Sequence, residues 1–138
     1  MTTIIVSGGF DPIHVGHIRL MQNAKKLGSH LIVLVNNDNW IVQKKGQAFM
    51  PESERCEVIA ALECVDEVML TTHLPGEDRY DCSRELKKIQ FDVFANGGDR
   101  TETTSPEHDL CLTLGKRVEY GVGGGKVQSS SWLISGSR

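Results

Sequence analysis

At 138 residues, with 39% hydrophobic and 24% charged side chains and 14 glycines, the chain has the length and composition of a single soluble domain that buries its own core. A formal charge of -3 argues against general nucleic-acid binding, which draws its affinity from Lys and Arg set against phosphates. No stretch approaches the ~20 apolar residues of a membrane span, the first residues lack the basic start of a signal peptide, and the four cysteines form no C-x-x-C pair. The expectation is a reduced, cytoplasmic protein, one domain over 1–138, with neither nucleic acid nor membrane as partner.

In chain order, the β-branched run Thr3 to Ser7 reads as a first strand, followed by "GGFDPIHVGH". A helix is predicted from His14 to Leu27, since Ile18, Met21, Ala24 and Leu27 keep a three-to-four spacing and Gly28 offers a stop. Leu31 to Asn36 forms the second strand; like the first it lacks alternation, as strands buried on both faces do. Lys44 and Lys45 then fall in a loop, and Pro51 opens a helix with Val58, Ile59, Ala61, Leu62 and Val65 as its core face. A strand over Glu67 to Thr71, a polar connection over Thr72 to Asp81, a short helix in "SRELKKIQ" and a strand over Asp92 to Asn96 follow. Ser105 caps the next helix, with Pro106 at its first position and Gly115 past its end; a strand over Arg117 to Gly121 and a last short helix in "SSSWLIS" complete the series. Strands alternating with helices predict an α/β fold: a single doubly wound, Rossmann-like domain with a five-stranded parallel sheet and helices on both faces. Ligands in such sheets bind beyond the carboxyl ends of the strands, where the strand order reverses.

The segment after the first strand stands at such an end. Gly8 and Gly9 let the backbone leave the strand tightly, Pro12 fixes the turn, and His14, Gly16 and His17 occupy the head of a helix, where unpaired N–H groups favour an anion. By itself H-x-x-H is open to three readings: a solvated turn, a metal pair or a phosphate site. A metal pair lacks an evident third ligand, because His30, His73 and His108 are scattered.

"GGFDPIHVGH" resembles the signature of the HxGH nucleotidyltransferases, the cytidylyltransferase-like superfamily, and further motifs recur in that superfamily's order. "QKKGQ" is similar to the lysine-bearing loop of the glycerol-3-phosphate cytidylyltransferase type, and "ERCEVIAALECVDEV" to its arginine and helix segment. "NGGDR" looks like its G-G-D motif, also close to the heptose-phosphate adenylyltransferase domain, and "QSSSWLI" like its late serine motif. The resemblance implies a Rossmann-like fold and transfer of a nucleotidyl group from an NTP to a phosphomonoester, with release of pyrophosphate. CTP and a glycerol-3-phosphate-like acceptor are favoured; ATP with a sugar phosphate, or a nucleotide-binding module without turnover, are the alternatives. It further implies Mg²⁺ with the NTP and a homodimer.

The resemblance assigns His14, His17, Lys44 and Arg55 to catalysis. It assigns Gly8, Gly9, Phe10, Asp11, Gly16, Gly97, Asp99, Arg100, Ser129, Ser130 and Ser131 to nucleotide binding. Plainer physical roles accompany several of these. Arg55 between Glu54 and Glu57 suits a surface salt bridge, Asp11 suits a turn lock, and Ser129 suits a helix cap. One departure is "GVGGGKVQSSS", in which Lys126 stands near the place of the superfamily's basic residue.

Overall fold

The structure, a computed structural model, describes residues 1–97, 105–124 and 130–135. Its elements run β1 (Thr3–Gly8), α1 (Val15–Lys25), β2 (His30–Val35), α2 (Asp38–Lys45), α3 (Glu52–Ala60), β3 (Glu67–Leu70), α4 (Ser83–Leu86), β4 (Val93–Gly97), α5 (Pro106–Leu114), β5 (Arg117–Val122) and α6 (Ser130–Ser135). The five strands pair in parallel in the order β3-β2-β1-β4-β5. Every predicted strand is present within one or two residues of its expected bounds.

The central strands are apolar throughout because both of their faces are covered. Ile4 and Val6 of β1, with Val33 and Val35 of β2, join Met21 and Ala24 of α1 and Ile59 of α3 in one buried cluster. Ile5, Ile32 and Leu34 join Leu86 of α4, Cys111 of α5 and the intervening Phe91 in a second, on the opposite side. Burying each such side chain contributes about 1.5–3 kcal/mol, so the two clusters are what hold the helices to the sheet. All four cysteines are free.

The strand order reverses at β1. β2 and β3 extend the sheet on one side, β4 and β5 on the other, so a crevice opens between the carboxyl ends of β1 and β4. Among the described residues no helix is long and apolar enough to cross a membrane.

Three expectations are corrected. α1 ends at Lys25, and Gly28 is needed not as a left-handed cap but for closeness: a Cβ there would lie 2.3 Å from Ile4 Cδ1 and 2.5 Å from the Thr2 carbonyl oxygen. On α3, Ile59 is buried as expected and Arg55 is buried with it, while Val58 is 40% exposed; Leu62 and Val65 lie past the helix end at Ala60, partly buried against the same cluster. The loop expected after β2 is the helix α2, whose caps are described with the site below.

Candidate active site

β1 ends at Gly8, where an added Cβ would lie 3.0 Å from the Phe10 ring, so that ring folds back over the strand end. Phe10 takes a left-handed backbone conformation, φ +53, and is buried. The chain then enters α1 through His14, its N-cap residue. The His14 Nδ1 accepts the Gly16 N–H at 3.0 Å, and the His17 Nδ1 accepts the His14 N–H at 3.2 Å. Helix heads leave N–H groups unpaired, and here imidazoles do the work usually given to Ser, Asp or Glu. Because both Nδ1 atoms are acceptors, each neutral ring carries its proton on Nε2.

The two rings stack at 3.7 Å between centroids, and the Phe10 ring meets His17 edge-on at 4.9 Å. Burial, then the neighbouring His14 and Lys45, pull the His17 pKa down to about 3. His17 is therefore a neutral N–H donor at physiological pH, able to hydrogen-bond an oxyanion while keeping its Nε2 proton.

The second wall is α2. Asn37 Oδ1 accepts the Trp40 N–H at 3.0 Å, Trp40 and Ile41 are buried, and the helix stops at Gly46, φ +93. Lys44 and Lys45 are thus exposed in the last turn of a helix rather than on a free loop, and Lys45 acts electrostatically on His17. The missed signal was "NNDNW", an Asn cap ahead of buried apolar residues.

Arg55 has no exposed surface. Its Nε donates to the Met50 carbonyl at 2.9 Å, one terminal nitrogen to the carbonyls of Gly9 and Asn36 at 2.8 and 2.6 Å, and the other to Asp38 Oδ1 at 2.6 Å. Neither the surface salt bridge nor the phosphate contact expected of Arg55 is what this geometry offers; the guanidinium ties three backbone segments together. Asp11, 2% exposed, likewise accepts the Phe49 and Met50 N–H groups at 2.7 and 2.6 Å, the turn lock of the two readings given for it.

On the far side of the crevice, Gly97 ends β4 where a Cβ would lie 2.9 Å from Leu20 Cδ1 and 3.1 Å from the Val122 carbonyl oxygen. Ser130 begins α6 and donates its hydroxyl to the Pro12 carbonyl at 2.8 Å, which brings this serine onto the turn before His14. Gly16 lies in the first turn of α1, and Ser131 is the second residue of α6. Asp99, Arg100, Lys126 and Ser129 lie outside the described residues. Among the described residues no three His, Cys, Asp or Glu side chains converge on a possible metal position.

A family model described as cytidylyltransferase-like matches residues 5–127. The chain belongs to that family. Membership makes it a nucleotidyltransferase by class, as "GGFDPIHVGH" and its companion motifs implied. Among curated proteins it is 35% identical over 117 residues to an FAD synthase of Pyrococcus abyssi, covering 84% of this chain and 76% of that protein. It is also 35% identical over 121 residues to the bifunctional protein HldE of Syntrophotalea carbinolica, covering 86% of this chain but 23% of that longer protein. A solved structure of a lipopolysaccharide core biosynthesis protein from Thermoplasma volcanium superposes with a TM-score of 0.69 at 25% identity, over 88% of this chain and 94% of that one. For this cytidylyltransferase-like chain, the five-stranded parallel α/β fold agrees with that structural neighbour.

Proposed function

We propose that this protein transfers a nucleotidyl group from an NTP to a phosphomonoester. A phosphate oxygen of the acceptor attacks the α-phosphorus, the bond from that phosphorus to the oxygen bridging the β-phosphate breaks, and pyrophosphate leaves with that oxygen. No protein nucleophile is required, because the acceptor is already anionic; the task is to hold two anions in line and to stabilise charge on the transferring group. The observation that carries this reading is the pair of stacked imidazoles at the head of α1, both with Nδ1 turned into the backbone, so that Nε2 bears the proton.

In this reading His14 and His17 serve the triphosphate and the transition state. Lys44 and Lys45 on the end of α2 supply mobile countercharge, and Ser130 sits by the same turn for the pyrophosphate side. Asp11 has both carboxylate oxygens engaged by backbone N–H groups, so it does not suit a metal ligand, and a Mg²⁺ ion would be bound chiefly through the oxygens of the NTP itself. For the base, relatives named FAD synthase favour adenine, since FAD contains an adenylyl group. The case for CTP and a glycerol-3-phosphate-like acceptor rests on "QKKGQ" as a loop and on the small size of the chain, and Gln43 to Lys45 of that segment are the last turn of a helix.

The test is pyrophosphate release with each NTP against a panel of phosphomonoesters that includes flavin, sugar and glycerol phosphates. Turnover with at least one pair is expected, and His17→Ala should lower it by about 100- to 1000-fold, as loss of an oxyanion donor does. Binding of NTP without release for any acceptor would refute the reading in favour of a nucleotide-binding module.

A further inference from the structure

We infer that Arg55 and Asp11 are positioning residues: they clamp the Phe49–Met50 segment onto the Gly9–Asp11 turn and so seat the Phe10 ring that orients His17. The hydrogen bonds form a closed circuit. Gly9 offers its carbonyl to Arg55, Arg55 Nε donates to the Met50 carbonyl, and the Met50 N–H donates to Asp11, two residues from Gly9. The Phe49 N–H donates to the second Asp11 oxygen. Arg55 also holds the Asn36 carbonyl at the end of β2 and Asp38 at the start of α2, so the circuit is anchored to the sheet.

Burying a guanidinium and a carboxylate is costly, and for stability alone apolar side chains serve as well. What these two groups provide, and apolar ones cannot, is fixed direction. Phe10 lies between the two clamped positions, and it needs that restraint: a bulky residue in the left-handed region persists only where its surroundings over-determine it. Thus seated, its ring is 3% exposed and perpendicular to His17, at an interplanar angle of 89°. His17 is boxed by Phe10 on its edge, by the stacked His14, and by the His14 N–H on Nδ1, with the Lys45 ammonium acting on it as a nearby charge. Opening the clamp frees Phe10, lets water reach His17, and releases the imidazole from its single tautomer and orientation.

For turnover the inference rests on the proposed nucleotidyl transfer; its readout on the protein itself does not. The experiment is a ¹⁵N imidazole NMR titration of the full chain, paired with steady-state pyrophosphate release, for the wild type, Arg55→Met, Arg55→Lys, Asp11→Asn and Phe10→Leu. The wild-type His17 should stay neutral, with the proton on Nε2, far into the acid range. In Arg55→Met, Asp11→Asn and Phe10→Leu, His17 should titrate at clearly higher pH with mixed tautomers. Their kcat should fall by up to about 100-fold, as a misplacement of about 1 Å costs. KM for the NTP should stay within about threefold, the pattern of a lost transition-state interaction rather than lost binding. Arg55→Lys should restore part of both readouts.

Arg55→Met is the variant most exposed to misfolding. Asp11→Asn opens the same circuit from the opposite side, and Phe10→Leu removes the ring while sparing every clamp hydrogen bond, so each stands as an independent arm. A KM for the NTP raised tenfold or more at unchanged kcat in Arg55→Met would make Arg55 a direct phosphate ligand and overturn the inference. Folded Asp11→Asn and Phe10→Leu proteins with wild-type His17 signals would overturn it too, leaving the clamp purely structural. A wild type that releases no pyrophosphate would remove the proposed function while the NMR outcomes still decide the clamp.

Discussion

Asn37 offers the clearest measure of what holds α2 in place. The residue is 8% exposed; its Oδ1 accepts the Trp40 N–H at 3.0 Å, and its Nδ2 donates to the carbonyls of Thr71 at 3.1 Å and His73 at 2.9 Å. Asn37→Ala removes the cap, worth about 1 kcal/mol. It also strands the Thr71 carbonyl, at about 1–2 kcal/mol, whereas the His73 carbonyl keeps the Asn39 amide at 2.8 Å. The expected loss is therefore about 2–3 kcal/mol in urea unfolding followed by tryptophan fluorescence, with an unchanged m-value. Asn37→Ser retains a capping oxygen and should lose about 1 kcal/mol less than the alanine. An alanine variant within about 0.5 kcal/mol of wild type, or a serine as costly as the alanine, would refute Asn37 as an anchor of α2 beside the Arg55–Asp38 pair.

Two further outcomes follow from buried groups and close backbones. The folded His17 resists protonation until about pH 3, against an ordinary value of 6.5, so the unfolded chain binds the extra proton between those values and stability must fall as pH drops through that window. Glu85 adds a loss in the same direction from pH 4.5 towards 2: although burial opposes its ionisation, hydrogen bonds from Arg79 and Thr72 hold its pKa down to about 2. Tm measured from pH 7 to pH 4 should decline, and less steeply in His17→Gln; a flat profile would contradict the neutral, boxed His17. Gly28→Ala should cost about 1–3 kcal/mol by overpacking, since backbone at Thr2 must move, and a neutral result in a thermal melt would mean that α1 can pivot away from β1 freely.

Most of the fold was legible because its signals are local. Buried parallel strands such as Ile4 to Val6 and Leu31 to Val35 write continuous apolar runs, and the Ser105, Pro106 and Gly115 device marks both ends of α5. α2 was not read because only two of its residues, Trp40 and Ile41, are buried, too few for a periodicity; its start is fixed by Asn37 reaching Thr71 and His73 across the sheet edge. The histidine turn was legible as a motif, yet the use of both Nδ1 atoms as helix caps was not, since capping by imidazole has no sequence signature. Arg55 was misplaced for a related reason. An arginine between two glutamates looks solvated, and only the arrival of Gly9, Asn36 and Met50 from other segments makes burial tolerable.

The order of the strands has a consequence for how the chain assembles. Joining β1 to β2 closes a short stretch, Thr2 meeting Ser29 across 27 residues, whereas joining β1 to β4 brings Thr3 to Asp92 across 89. By loop-closure entropy the second costs about 1 kcal/mol more, and it is the step that creates the crevice. A ligand gripping both rims contributes binding energy to that step in particular, so saturating nucleotide should slow the opening of the β1–β4 seam more than fraying of the β2–β3 edge.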